Sequence, residues 1–148
     1  MSALLRLMHV YWRFSRPLSG GVRGMVIEDD AILLVRHTYV GGWHMPGGGV
    51  EIGETFEGAL EKELREEAAV RLTARAELFG LYLNRAMNRR DHVALYVCHG
   101  HERGEFRPNR EIAEARFHPL DALPGGTTEA TRRRIAEVRE GRAPDIHW

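Results

Sequence analysis

The sequence predicts a mixed α/β (α+β) sandwich built on a mixed β-sheet, and three observations carry that expectation. Short apolar runs of strand length recur through the chain. Two longer segments carry helical spacing, from about Thr55 to Val70 and from near Thr128 to Glu140. Strands and helices do not alternate regularly, as an all-parallel sheet would require. At 148 residues and 43% hydrophobic composition the chain is sized for one domain over residues 1–148.

In chain order, Leu4 to Phe14 reads as an amphipathic helix, because Leu4, Leu7, Met8, Tyr11 and Trp12 follow one helical face. Arg6, His9 and Arg13 interrupt it, and it is too short to span a bilayer, so residues 1–17 form an expected helical extension and no membrane span is expected. Packing on the domain is its plain role; a homodimer contact or a membrane-surface contact is the alternative. Val22 to Ile27 and Ile32 to Arg36 flank Glu28-Asp29-Asp30, which is turn chemistry, and so read as a hairpin. Gly41-Gly42 and Gly47-Gly48-Gly49 then bracket Trp43 to Pro46, a loop whose backbone can approach a ligand closely. Ala76 to Leu83, Val93 to His99 and Ala113 to Phe117 read as further strands, joined by polar connections at Arg85 to Arg90 and Gly100 to Arg110. The last helix stops at Gly141 and Pro144, with Arg132-Arg133-Arg134 on its expected exposed face.

Charge narrows the function. Lysine plus arginine balances aspartate plus glutamate at 21 each, so there is no global field to hold a nucleic-acid backbone or an anionic membrane, and a small, locally captured partner is expected. The single cysteine, Cys98, cannot form an internal disulfide, which suits the cytoplasm; its strand setting reads as buried filler.

The helix from Thr55 holds the chemistry. At about 100° per residue from Phe56, Ala59 falls at about 300°, Leu60 at about 40° and Leu64 at about 80°, an apolar stripe. Glu63 at about 340°, Glu67 at about 20° and Glu66 at about 280° lie among or beside that stripe. Glu61 at about 140° and Arg65 at about 180° fall on the water-facing side. Three inward carboxylates on adjacent turns repel unless a cation lies between them. Oxygen-only ligation favours magnesium, with manganese as a substitute, and hence phosphoryl or nucleotidyl transfer to water. A solvated, ion-paired helix shows the same charge run. The inward direction and the glycine loop leading into the helix favour the metal reading.

These residues resemble the Nudix box: Gly48, Glu54, then Lys62-Glu63-Leu64-Arg65-Glu66-Glu67-Ala68-Ala69-Val70, agreeing at seven of nine specified positions. Lys62, the sole lysine beside 20 arginines, stands for the family arginine, and Ala69 for the closing glycine. The resemblance runs from about Val22 to Leu123 and also includes Leu33 to Arg36, Gly42 to Gly49 and Phe117 to Leu120. It implies an α/β/α sandwich and a magnesium-dependent hydrolase of a diphosphate linkage in a nucleotide-type small molecule. Glu63, Glu66, Glu67 and the Gly47 carbonyl would hold the metal. Lys62 and Glu111 would join the glutamates in catalysis, with Glu114 the second choice for the later acid. Arg36, Gly48 and Glu54 would serve the substrate side, Glu54 steadying the site through position 62; Arg36 also reads as a surface charge. An isopentenyl diphosphate isomerase-like enzyme would need a cysteine, for which only Cys98 is available. A non-catalytic nucleotide-binding module would be expected to have lost box glutamates, and all four stand here. Leu81 to Asn88 carries neither the proline nor a well-placed tyrosine that marks several substrate branches, so nucleoside triphosphates and nucleotide sugars stay open.

Overall fold

Residues 3–148 are described by a computed structural model. The elements run α1 (Ala3–Ser15), β1 (Ser19–Glu28), β2 (Ala31–His37), β3 (Trp43–His44), α2 (Phe56–Ala68), β4 (Val70–Leu72), β5 (Glu77–Leu83), β6 (Asp91–Cys98), β7 (His101–Arg103), β8 (Ile112–Pro119) and α3 (Glu129–Arg139). Six strands form one mixed sheet in the order β3-β2-β1-β6-β5, with β8 also on β2. The β1–β6 pair is parallel, and the other pairs are antiparallel.

The two-residue period of β1 decides which helix covers which face. Val22 and Val26 point into a cluster with Ala59, Leu60 and Leu64 of α2. Met25 points the other way, among Ile32, Leu34, Tyr82, Leu95 and Ile135 of α3. Both sides are therefore buried, and the expected sandwich results. Leu60 and Leu64 are fully buried, and each such side chain contributes about 1.5–3 kcal/mol of hydrophobic stabilisation.

Helix α2 begins where Thr55 accepts the Gly58 N–H at 3.0 Å, an N-cap that satisfies one of the orphan donors of the first turn. It ends at Ala68 because Ala69 takes a left-handed conformation, φ 53° and ψ 37°, with its N–H on the Arg65 and Leu64 carbonyls. Val70 then opens β4, which pairs with β7 in a separate two-stranded sheet. That small sheet was not legible in the sequence, since each strand has three residues and β7 lies in a polar stretch.

Two expectations need correction. Helix α1 does not pack on the sandwich: Leu4, Leu7, Tyr11 and Phe14 are 68%, 68%, 68% and 75% exposed. Arg134 is not on an exposed face of α3; it is completely buried, and only its neighbour Arg133 faces water. Its guanidinium donates to Glu137 Oε1 and to the His147 carbonyl, both at 2.8 Å, and lies 4.5 Å over the Tyr82 ring. Tyr82 O–H completes the group by donating to Glu137 Oε2 at 3.0 Å. A buried arginine is tolerable when paired and hydrogen-bonded in this way, and a charge pattern alone does not reveal such partners. Among the described residues no helix is long and apolar enough to cross a membrane.

Candidate active site

The glycine loop is fastened to β1 by three backbone hydrogen bonds: Val22 N–H to Gly48 O at 2.9 Å, Gly24 N–H to Pro46 O at 2.8 Å, and Val50 N–H to Gly20 O at 2.8 Å. Such close approach demands glycine at one position and leaves little room at the next. Gly47 has φ +151°, and a Cβ there would run into the Val22 carbonyl; a Cβ on Gly48 would stand 2.6 Å from the Glu63 carboxyl carbon. The loop thus lies directly on the acidic face of α2.

Glu67 is the pivot. It is 6% exposed, and its Oε2 accepts the Gly47 N–H at 2.9 Å while its Oε1 lies 3.2 Å from His37 Nε2. Glu63, Glu66 and Glu67 line one cleft of about 440 Å³, together with Asn109, Arg110 and Glu111. Glu63 is half-buried, but Glu66 is exposed at the cleft rim, so the helical wheel overstated its inward direction. The wheel ignores that a glutamate near the border of the apolar stripe can turn outward. Of the two candidates for a later acid, Glu111 lines this cleft. Glu114 is held instead by the Arg36 guanidinium and by Arg116 Nε at 3.2 Å. Arg36, exposed, is spent in that pair and does not line the cleft. The Gly47 carbonyl accepts Arg23 Nη1 at 2.7 Å.

The electrostatics describe a site short of positive charge. Burial and the neighbouring carboxylate of Glu67, with a further contribution from Glu66, hold the Glu63 carboxyl above its usual range. Among the described residues no three His, Cys, Asp or Glu side chains converge closely enough to cage a metal unaided. An open, oxygen-only donor set fits magnesium nonetheless, because that ion keeps several waters and shares its shell with substrate phosphates. Beside the cleft, Lys62 Nζ donates to Glu54 Oε1 at 2.7 Å. The hydrogen bond from Lys62 holds the Glu54 carboxyl below its ordinary value, and Glu54 holds the ammonium above its own.

A second cleft of about 590 Å³ includes His37 and Gly47, the two partners of Glu67, together with Arg23, Tyr39, His44 and Gly48. The His37 ring lies 5.3 Å from that of Tyr39 and 5.4 Å from that of His44. Burial lowers the His44 pKa, with His37 and Arg23 adding to the effect. Asn84, Met87 and Trp148 also reach this cleft. Sequence reasoning missed these residues. Arg23 carried one usable signal, a charge on the face of β1 opposite Val22; Trp148 carried none, since it arrives from the far end of the chain. Cys98 is 1% exposed, and burial pushes its thiol up to about 12, so it is not placed to serve the proton transfer that an isomerase reading needs.

A glycine loop laid across a mixed sheet and leading into an acidic helix, the sheet itself sandwiched between helices, is the architecture of a Nudix fold. The sequence profile of the NUDIX domain matches residues 18–138, and the chain belongs to that family. It is 32% identical over 107 residues to an ADP-ribose pyrophosphatase of Methanocaldococcus jannaschii, covering 70% of this chain but only 63% of that relative. It is 31% identical over 134 residues to a MutT-like protein of Streptomyces ambofaciens, covering 89% and 84% of the two chains. Among solved structures, a MutT Nudix hydrolase from Burkholderia pseudomallei superposes with a TM-score of 0.71 at 28% identity, over 82% of this chain and 98% of that one. Family and relatives together support a hydrolase acting on pyrophosphate bonds.

Proposed function

We propose that this chain is a magnesium-dependent pyrophosphohydrolase of the cytoplasm that cleaves a diphosphate linkage in a nucleoside diphosphate derivative or a nucleoside triphosphate. The observation that carries this reading is that Glu67 lines the acidic cleft while its carboxylate contacts His37 and Gly47, which line a second cleft of aromatic and polar groups. A diphosphate spanning the two clefts would put its phosphates against the glutamates and its organic part against Tyr39, His37 and Trp148. Magnesium, or manganese in its place, held by Glu63, Glu66 and Glu67, would neutralise phosphate charge and make water a better nucleophile.

The remaining chemistry falls to the chain's own groups. Glu63, or Glu111 in the same cleft, accepts the proton of the attacking water. Gly47 N–H and His37 fix the Glu67 carboxylate, so its orientation is set before substrate arrives. Lys62 acts through Glu54, bracing the entrance to α2. Arg23 supplies positive charge in the larger cleft beside the Gly47 carbonyl, a part that Arg36 cannot play while it holds Glu114.

The test is a panel of diphosphates, assayed with magnesium, with manganese and with chelator, and scored for inorganic phosphate, pyrophosphate and nucleoside monophosphate. ADP-ribose and nucleoside triphosphates head the panel on the relatives' names, although Leu81 to Asn88 lacks the marker proline. Metal-dependent release of a monophosphate product from at least one member is the expected result. Tight binding with no turnover on any member would overturn it.

A further inference from the structure

Helix α1 is amphipathic, exposed from Leu4 to Ser15, and bears one sign of charge. Counting from Leu4 at about 100° per residue, the apolar arc spans roughly 220°, from Val10 at about 240° through Leu7, Tyr11, Met8 and Trp12 to Leu5 at about 100°. His9, Arg13 and Arg6 fill the opposite side, between about 140° and about 200°. Leu7, Tyr11 and Phe14 are 68%, 68% and 75% exposed, and Leu18 just beyond the helix is 74% exposed. No acidic residue occurs from 3 to 27, although the whole chain is charge-balanced.

A second basic element stands at the foot of this helix. The loop between β5 and β6 carries exposed Arg85, Arg89 and Arg90 and an exposed Met87, with no acidic residue from 84 to 90. It meets the helix root at Pro17, Leu18 and Ser19, where the Ser19 N–H donates to the Arg90 carbonyl at 3.2 Å. The nearest acid in sequence, Asp91, is 8% exposed and already accepts Ser19 Oγ at 2.9 Å and Asn84 Nδ2 at 3.0 Å. The helix with its following turn and the loop at its root therefore carry six arginines, Arg6, Arg13, Arg16, Arg85, Arg89 and Arg90, and exposed apolar side chains, with no acidic residue in either segment.

We infer that α1, with the Arg85–Arg90 loop at its foot, docks on an anionic phospholipid bilayer surface, α1 lying in the interface plane. The apolar arc enters the acyl boundary, Trp12 sits at its edge, and the arginines reach phosphate headgroups. Arc width decides against a second copy as the occupant. A self-paired α1 would cover only part of an apolar arc that is wider than a two-helix seam, whereas arginines with no acidic residue on the helix complement anionic headgroups. Because the same loop contributes Met87 to the larger cleft, docking holds the mouth of that cleft near the membrane.

The full chain is sedimented with vesicles of phosphatidylcholine alone and of phosphatidylcholine with about 30% phosphatidylglycerol, at low and high salt. Binding to the anionic vesicles, weakened by salt, is the expected result. Arg6→Glu/Arg13→Glu lowers the partition coefficient by about tenfold or more, Arg6→Ala/Arg13→Ala lowers it while leaving helix propensity intact, and the same charge change at Arg71→Glu/Arg107→Glu leaves it within about twofold. Hydrolysis of a soluble substrate is unchanged in the α1 variants, which separates this surface from the catalytic reading. Absence of binding to anionic vesicles, or equal binding to neutral ones, overturns the inference. So does a concentration-dependent dimer that Leu7→Asp/Phe14→Asp dissolves in a chain that ignores vesicles.

Discussion

Replacing Arg134 with methionine isolates the buried charge group under α3. The substitution keeps much of the side-chain volume and removes two hydrogen bonds, to Glu137 and to the His147 carbonyl, together with the guanidinium over the Tyr82 and Trp148 rings. Glu137, 4% exposed, is left as a buried carboxylate without a cation. Removing one partner of such a pair costs about 3–5 kcal/mol. Here Tyr82 O–H and the Asp145 N–H still donate to Glu137, at 3.0 and 3.2 Å, so the lower end of that range, about 3 kcal/mol, is the expectation. For a domain of this size that is a fall in Tm of roughly 6–12 °C. The double variant Arg134→Met/Glu137→Met removes the orphaned charge and recovers more than half of the loss. Urea and thermal unfolding followed by circular dichroism measure all three. An Arg134→Met loss below about 1 kcal/mol, or strictly additive single and double variants, would refute the reasoning.

Three further outcomes follow from the site and its supports. Ala69→Gly relieves a left-handed alanine at the end of α2 and raises stability by about 0.5–1 kcal/mol without changing kcat, as urea unfolding and steady-state assay together check. Lys62→Met breaks the 2.7 Å bond to Glu54 and lowers kcat/KM by roughly 10–100-fold, while Lys62→Arg, which preserves the charge and a donor, stays within about threefold. Cys98, its thiol pushed up to about 12 by burial, reacts with a thiol reagent at pH 8 only on unfolding. A raised folded value means that its contribution to stability is complete below the ordinary thiol range and is lost as pH climbs from about 9 towards 12; thiol titration across that window follows it.

How much of this was legible in the sequence depends on the range of the interaction. The hairpin at Asp29-Asp30, α2 with its Thr55 cap and the glycine loop are local, and residue type alone indicated them. The pairing of distant strands was not, and with it went the functional detail. Glu67 could be assigned to an inward face from its spacing, but its hydrogen bond to Gly47 and its contact with His37 depend on how the loop and β2 are laid against α2. Arg36 and Arg23 exchange importance for the same reason. Arg36 finds Glu114 across the β2–β8 pairing, 78 residues away, and Arg23 finds the loop carbonyls. Arg134 was misread because burial of a charge is decided by partners from β5 and the C-terminal segment, which the helix period does not encode. Helix α1 shows the converse: its pattern was plain, and the exposure of its apolar face was the new information.

The central claim rests on Glu67, which lines the acidic cleft and contacts His37 and Gly47 of the larger one. Glutamine at that position is nearly isosteric and keeps an oxygen for the Gly47 N–H, so the fold is retained. Its charge, the property on which magnesium ligation depends, is gone. Magnesium-supported hydrolysis of the best diphosphate on the panel is therefore predicted to fall at least about a hundredfold in Glu67→Gln, with an unfolding curve matching that of the parent chain. A folded Glu67→Gln enzyme that turns over at the parent rate would contradict the account.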